Sequence, residues 1–483
     1  MMIHRTILFA ATILFLTTTS PAFAQPAAGP KPNFLFIYTD DQRWDAMSCV
    51  QQEQGDRGRF PWFQTPNMDR LAREGVRFRN AFVINSLCAP SRSNFLTSQY
   101  SHLNGVANNH TPMPLDSVNH ATILRKNGYV TGYFGKFHHG QQLERPGFDV
   151  IASFIGQGKY VDCPMNVNGK MTPTKGWVDD VTTDYAIQFI KDHANQPFDM
   201  VIGFKSPHGP RTPPERAANR FEGETMRPVP NLDVVPPYKA AGPAKPGAEG
   251  FAADDAPANA AAKPVPAAKR VAQLSYFRTI SAADDCLGRL LKTLDDLKLA
   301  DNTIVIFASD NGYYFGEHTL GDKRSAYDES MRIPLIVRFP KSVPAGRVVD
   351  QMVLNIDLAP TLLDYAGVAI PPTMQGRSWR PLLEGKPAPD WRTAFIYEYF
   401  FERGYAGIPT VTAVRTDTAK LIKYPGHDEW TELFDLQKDP YEIKNLYYDA
   451  GSATLRQEME SRYTAESKAV NFKVPDYADK PAK

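Results

Sequence analysis

Hydrophobic positions along the chain fall into two kinds of run. Some runs are continuous. Asn33–Thr39 (NFLFIYT) and Thr303–Ala308 (TIVIFA) are apolar at almost every position, the pattern of strands buried on both faces of a parallel sheet. Val130–Phe134 and Asp199–Phe204 read as further strands. Other runs are periodic. Ser275–Leu299 places Ile280, Leu287, Leu290, Leu291 and Leu294 on one helical face. Thr65–Gly75 predicts a capped helix stopped by its glycine. After about residue 385 the pattern changes. Val411–Arg415, Leu421–Tyr424 and Leu433–Leu436 are short strands between turn signals, and Thr454–Lys468 is helical. Together these predict an α/β fold: a large domain with a mostly parallel central sheet flanked by helices, then a small C-terminal subdomain with an antiparallel sheet. No internal repeat is visible.

The polar residues that end the buried strands add chemistry to this outline. The first strand runs into Asp40-Asp41 and the other into Ser309-Asp310-Asn311-Gly312. Open α/β sheets bind ligands at the carboxyl ends of their strands. If the two strands are neighbours, their acids form one site. Helix capping by Asp40 or Asp41 and a turn at Asp310-Asn311-Gly312 are the alternatives for either pair alone.

Composition changes the picture in three places. Met1–Ala24 has a basic start at His4 and Arg5, an apolar stretch Ile7–Leu16 and an Ala22-Phe23-Ala24 cleavage pattern. It reads as a signal peptide removed on export to the periplasm or the medium, with an uncleaved anchor as the alternative. Pro228–Arg270 holds nine prolines and thirteen alanines. It cannot bury enough surface to fold by itself and reads as a surface insertion in a catalytic domain spanning 25–385; the C-terminal subdomain spans 386–483. Charge is balanced, with 54 Lys+Arg against 53 Asp+Glu, which excludes a strongly basic nucleic-acid binder. No later stretch is apolar for long enough to insert stably in a membrane. Four cysteines, Cys49, Cys88, Cys163 and Cys286, are too few for a disulfide-built fold. An exported protein tolerates one bond among Cys49, Cys163 and Cys286.

Cys88 stands in Cys88-Ala89-Pro90-Ser91-Arg92, a C-x-P-S-R motif. An inert buried thiol is the ordinary fate of a free cysteine, and a thiolate nucleophile helped by Arg92 is a second possibility. With the two acidic strand ends in matching order, however, the chain resembles the type I sulfatases of the alkaline phosphatase superfamily. The resemblance runs from about Pro32 to Leu446. It implies an alkaline-phosphatase-like large domain and oxidation of Cys88 to formylglycine by a maturation enzyme acting in trans. It also implies a calcium ion held by Asp40, Asp41, Asp310, Asn311 and the modified Cys88; carboxylates and an amide carbonyl are hard ligands suited to Ca²⁺, with Mg²⁺ the lesser alternative.

Other blocks carry further roles by the same resemblance. Gly135-Lys136-Phe137-His138 is similar to the family's G-K-x-H, so Lys136 would bind sulfate oxygens and His138 the formylglycine hydroxyl. Pro207-His208 loosely matches P-H-x-P and puts His208 on the ester oxygen. Lys323 precedes the block Tyr327-Asp328-Glu329-Ser330-Met331-Arg332-Ile333-Pro334, where aspartate replaces the family's first glutamate. Arg92 would assist the nucleophile, and His208 or Lys323 would protonate the leaving alcohol. Glu432-Leu433-Phe434-Asp435-Leu436 resembles the family's ending, its acids expected in turns and on the surface.

The implied reaction is hydrolysis of sulfate monoesters, with a sulfated carbohydrate as partner. Val106-Ala107-Asn108-Asn109, following His102, looks like the N-acetylglucosamine-6-sulfatase branch. His102, Asn108, Asn109 and His110 are therefore candidate sugar contacts, and His427 and Trp430 a candidate wall. A phosphodiesterase or phosphonate monoester hydrolase on the same scaffold and a non-catalytic carbohydrate-binding protein are the competing readings.

Overall fold

The computed structural model describes residues 31–240 and 267–480. The signal peptide read at 1–24 and residues 241–266 of the insertion lie outside the described residues. The strands, in chain order, are β1 (Asn33–Thr39), β2 (Val76–Phe78), β3 (Ala81–Phe82), β4 (Val130–Lys136), β5 (Val150–Phe154), β6 (Met165–Val167), β7 (Lys170–Thr172), β8 (Phe198–Gly203), β9 (Thr303–Ser309), β10 (Leu335–Arg338), β11 (Arg347–Val349), β12 (Val353–Leu354), β13 (Ala394–Tyr399), β14 (Val411–Thr416), β15 (Ala419–Lys423) and β16 (Glu432–Asp435). The main sheet has the order β11-β2-β10-β9-β1-β8-β4-β5-β6-β7. At its centre β9, β1, β8, β4 and β5 are parallel neighbours. The α/β class and mostly parallel sheet are as the sequence predicts, and so is the separate antiparallel sheet β13-β14-β15-β16.

Strand β1 shows why its sequence is apolar throughout. Leu35 and Ile37 face a core built with the Pro66–Glu74, Val178–Asp192 and Ala267–Asp296 helices. Phe34, Phe36 and Tyr38 face the opposite core with Phe95, Leu124, Leu358 and Leu362. Successive side chains of a strand point to opposite faces, so a strand covered on both sides must be apolar at every position. A third core joins β13–β16 to the Ala453–Ala469 helix and to Phe82, Tyr100 and Tyr327.

The central strands β9, β1, β8 and β4 run in one direction and therefore deliver their carboxyl ends to one edge. Thr39 pairs with Ser309 in register. This places Asp40-Asp41 beside Asp310-Asn311. Lys136 ends β4, and Lys205 to His208 follow β8.

Candidate active site

Cys88 opens the Cys88–Thr97 helix, every residue of which is buried. Proline suits the first turn of a helix, whose N–H groups have no partner inside it, and Pro90 occupies it. The N–H of Ala89 donates to Asn109 Oδ1 at 3.0 Å. The thiol is fully buried; it donates to Asp40 Oδ1 at 3.3 Å, while Lys323 Nζ lies 3.2 Å and Lys136 Nζ 4.0 Å from Sγ. Burial and the Asp40 charge push the thiol up to about 12, against the opposing pull of the two lysines. At that value almost no thiolate exists at neutral pH, so an unmodified cysteine is a poor nucleophile here.

The acidic cluster lies against this thiol. One oxygen from each of Asp40, Asp41 and Asp310 falls within 4.8 Å of the other two. Lys136 pairs with Asp40 and Lys323 with Asp41. Asn311 Nδ2 donates to Asp41 Oδ1 at 2.6 Å and to Gly312 O at 2.8 Å, and Asn311 Oδ1 is buried without a hydrogen-bond partner. Buried polar atoms are seldom left unpaired. An orphaned amide oxygen beside three buried carboxylates is the donor set that suits a hard divalent cation. Burial and the neighbouring Asp40 charge raise Asp310 to about 7, against the opposing pull of Arg92, as carboxylates crowded into one buried site do.

Close backbone approaches fix this geometry. A Cβ on Gly203 would overlap Lys136 O and stand 2.9 Å from Arg92 Nη1; one on Gly312 would overlap Glu329 O. Asp41 and His138 both hold positive φ, 70° and 57°. That conformation is uncommon for residues with a side chain and marks a surrounding structure that determines it.

Arg92 makes its hydrogen bonds and ion pairs beside the thiol. Its Nε and Nη2 engage Asp310 Oδ2 at 2.9 and 2.8 Å, Nη1 donates to Lys136 O, and the guanidinium lies 4.6 Å from the Tyr38 ring centre. A fully buried guanidinium requires a carboxylate partner, and Asp310 takes that role. Its contacts are thus to the neighbours of position 88, including Asp40 Oδ2 at 3.5 Å. His138 is buried with Nδ1 unpartnered, and burial and the Lys136 charge hold its imidazole well below the usual range. His208 is part-exposed at the rim; Nδ1 donates to Gly209 O at 2.7 Å and Nε2 lies 4.0 Å from Asp41 Oδ2.

The candidate sugar contacts are placed differently. His102 is buried, with Nδ1 on Glu398 Oε2 at 2.6 Å and Nε2 on Val470 O at 3.0 Å. Both ring nitrogens are already engaged, so this side chain has no position left for a sugar hydroxyl. Asn108 Oδ1 accepts from His110 N at 3.0 Å and Thr111 Oγ1 at 2.9 Å, which closes its own turn. Asn109 caps the Cys88 helix. His427 and Trp430 stack on each other at 3.7 Å. Glu432, expected in a turn or at the surface, is instead buried and accepts from Tyr327 Oη at 3.0 Å and Tyr424 Oη at 2.7 Å. All four cysteines are free thiols.

Two residues of the site carried no sequence-derived role. Gln157 Oε1 accepts from Lys136 Nζ, and Gln157 O accepts from Lys205 Nζ at 2.9 Å. Lys205 is one of several basic residues near His208 in sequence, and spacing alone does not single it out. Gln157 lies in a Gly-Gln-Gly turn that matches no motif.

Comparison with known proteins shows which family the chain resembles as a whole. Residues 32–368 match the family model described as Sulfatase, and residues 316–469 match one described as N-sulphoglucosamine sulphohydrolase, C-terminal. An N-acetylglucosamine-6-O-sulfatase of Bacteroides thetaiotaomicron is 33% identical, over 92% of this chain and 88% of that protein. An ulvan-active sulfatase of Formosa agariphila is 28% identical, over 92% of this chain and 83% of its own. A solved structure in complex with its substrate D-glucosamine-2-N,6-O-disulfate superposes with a TM-score of 0.79 at 31% identity, covering 92% of this chain and 99% of the other.

Proposed function

The chain belongs to the sulfatase family, and from that premise we propose that it removes an O-sulfate group from a sulfated amino sugar, with position 88, matured from cysteine to formylglycine, as the nucleophile. It is a sulfuric ester hydrolase. The observation that carries the nucleophile is the setting of Cys88: a thiol held at about 12 between a carboxylate and a lysine is unsuited to attack as it stands. Its position, however, is central to the charged groups. The substrate reading rests on the relatives, which act on 6-O-sulfated glucosamine units and on ulvan. The maturation enzyme acts in trans. The leader sequence and extracellular sulfatase relatives favour export. Among the described residues no helix is long and apolar enough to cross a membrane.

Asp40, Asp41, Asp310 and Asn311 would hold a calcium ion. When bound, the ion polarises the sulfate and lowers the pKa of an adjoining hydroxyl, and hydrated formylglycine supplies one hydroxyl for attack and a second whose deprotonation releases sulfate. The chain's other residues supply the rest. Lys136 and Lys323 carry ammonium groups beside position 88, where they bind the oxygens around sulfur and offset charge gathering there. Lys323 keeps its proton, since burial is outweighed by the charge of Asp41 beside it. It is the donor to the departing alcohol oxygen as the sulfur–oxygen bond breaks. His208, kept neutral by burial and the Lys136 charge, has its Nδ1 proton committed to Gly209 O and leaves Nε2, 4.0 Å from Asp41 Oδ2, as an acceptor for a hydroxyl of the bound substrate. His138, kept neutral, accepts the proton of the second hydroxyl.

Peptide mass spectrometry on the protein from its own host tests the nucleophile: active enzyme carrying unmodified Cys88 refutes it. Parallel kinetics on aryl sulfate and on aryl phosphate esters test the reaction. A clear preference for phosphate would reassign the chemistry to the phosphodiesterase and phosphonate hydrolase class.

A further inference from the structure

Lys136 faces an electrostatic difficulty. Its ammonium lies against Asp40 in a fully buried site, and a lysine drawn wholly onto one carboxylate has little left to offer a substrate. An ammonium carries three N–H donors. One goes to Asp40 and one to Gln157 Oε1. Two fixed directions on a tetrahedral nitrogen determine the third, which is directed at position 88, with Nζ 4.0 Å from Cys88 Sγ, the place where a sulfate oxygen would be met. Gln157 is itself fixed. It stands between Gly156 and Gly158, both at positive φ (57° and 60°), and a Cβ on Gly158 would strike the Phe154 ring. Its main-chain carbonyl accepts from Lys205 Nζ at 2.9 Å. Lys205 in turn is almost fully buried, lies 5.0 Å from the Tyr160 ring centre and donates its backbone N–H to Asp179 Oδ1 at 2.8 Å. One residue thus uses two carbonyl oxygens to hold two ammonium groups that would otherwise repel each other.

We propose that Gln157 and Lys205 are positioning residues for sulfate recognition: the Gln157 side chain aims the Lys136 ammonium, and Lys205 locks the Gln157 main chain in the turn that permits it. Neither residue touches the reacting atoms in this scheme. The inference deepens the sulfatase reading and rests on it for the identity of the anion.

Gln157→Met keeps the side-chain length, removes the acceptor and leaves the main-chain carbonyl for Lys205. On the matured enzyme, with an aryl sulfate, we expect KM to rise roughly tenfold, as loss of one hydrogen bond to a charged group implies, with kcat changed much less. Calorimetric binding of inorganic sulfate should weaken by a similar factor while Tm stays at the wild-type value. Lys205→Met should shift KM and sulfate affinity in the same direction, Lys205→Arg should recover part of the loss, and the double variant should lose less than the two single effects combined. Sulfate affinity and KM within twofold of wild type in Gln157→Met overturn the proposal while wild-type turnover leaves the sulfatase reading standing. Losses that follow a fall in Tm instead reduce both residues to a structural role. A wild-type protein that neither binds sulfate nor cleaves the ester overturns the reading and the inference together.

Discussion

His102 Nδ1 lies 2.6 Å from Glu398 Oε2, with both side chains fully buried. His102 belongs to the short Ser101–Asn104 helix that follows the nucleophile helix, and Glu398 to β13 of the C-terminal sheet. The pair therefore ties that sheet to the segment carrying position 88. Burial alone pushes the His102 imidazole down, but the hydrogen bond and charge of Glu398 together raise it above its ordinary value of 6.5. A raised folded value means that the pair's contribution to stability is full below pH 6.5 and is lost as pH rises through the folded value. Glu398→Gln should lower stability by about 3–5 kcal/mol at pH 6, the usual cost of stripping one partner from a buried pair. The gap to wild type in Tm should narrow toward pH 8.5. Thermal melts across that range check this, and a gap independent of pH would contradict the charged pair.

Position 88 makes the sharpest demand on chemistry. Serine offers one hydroxyl where hydrated formylglycine offers two, so Cys88→Ser can accept a sulfuryl group but has no second hydroxyl to release it. Turnover should fall by at least about a thousandfold, the scale set by losing a nucleophilic group. In this variant, a mass increase of one sulfuryl group should accumulate with substrate on the peptide that carries the substituted position. Near-wild-type turnover would falsify the mechanism.

On the proposed function, a divalent cation held by the acidic cluster and the orphaned Asn311 oxygen should stabilise the fold as well as the site. Any ligand that binds only the native state raises stability by an amount set by its concentration over Kd, about 2.7 kcal/mol at a hundredfold excess. Chelation should therefore lower Tm and abolish turnover, and calcium should restore both. Asn311→Leu removes one oxygen donor while keeping the side-chain size. It should require at least about tenfold more calcium for half-maximal recovery of Tm, the scale of losing one oxygen ligand from a hard-ion site. Calcium titrations followed by Tm in the two proteins measure this without reference to activity.

These outcomes reflect what a sequence can and cannot carry. Strand β1 was legible because burial on both faces demands an unbroken apolar run, and its Asp40-Asp41 end because parallel neighbours share one carboxyl edge. The partnership of Asp40-Asp41 with Asp310-Asn311 needed only the pairing of β1 with β9. His102 misled for a physical reason. A histidine beside asparagines in a loop looks like a hydroxyl-binding group, and its partner Glu398 is almost three hundred residues away. Glu432 was hidden in the same way, since the hydroxyls that make its burial tolerable belong to Tyr327 and Tyr424. Gln157 acts through one side-chain and one main-chain carbonyl, and a main-chain carbonyl leaves no trace in residue identity.

Arg92 separates charge from geometry. Its two nitrogens on Asp310, its third on the Lys136 carbonyl and its face on Tyr38 use the planar fork of a guanidinium. A lysine at this position would keep the positive charge, but its single nitrogen cannot reproduce that fork. In Arg92→Lys the Asp310 carboxylate loses the Nε hydrogen bond and the Nη2 ion-pair contact on its Oδ2, and the Lys136 carbonyl loses a donor. The Lys136 carbonyl still accepts from Tyr133 Oη at 2.7 Å, so β4 should keep its end. Asp310, freed, should sample orientations in which its oxygens no longer converge with those of Asp40 and Asp41. The expected outcome is a fall in kcat of at least about a hundredfold, the effect of misplacing groups by an ångström or so, with weaker calcium binding and a loss of roughly 2–4 kcal/mol in stability, below the full cost of breaking a buried pair because the charge remains. Activity measured at saturating calcium distinguishes the causes. Recovery to wild type there would assign the whole defect to metal affinity; a persistent loss assigns part of it to the position of Asp310 itself.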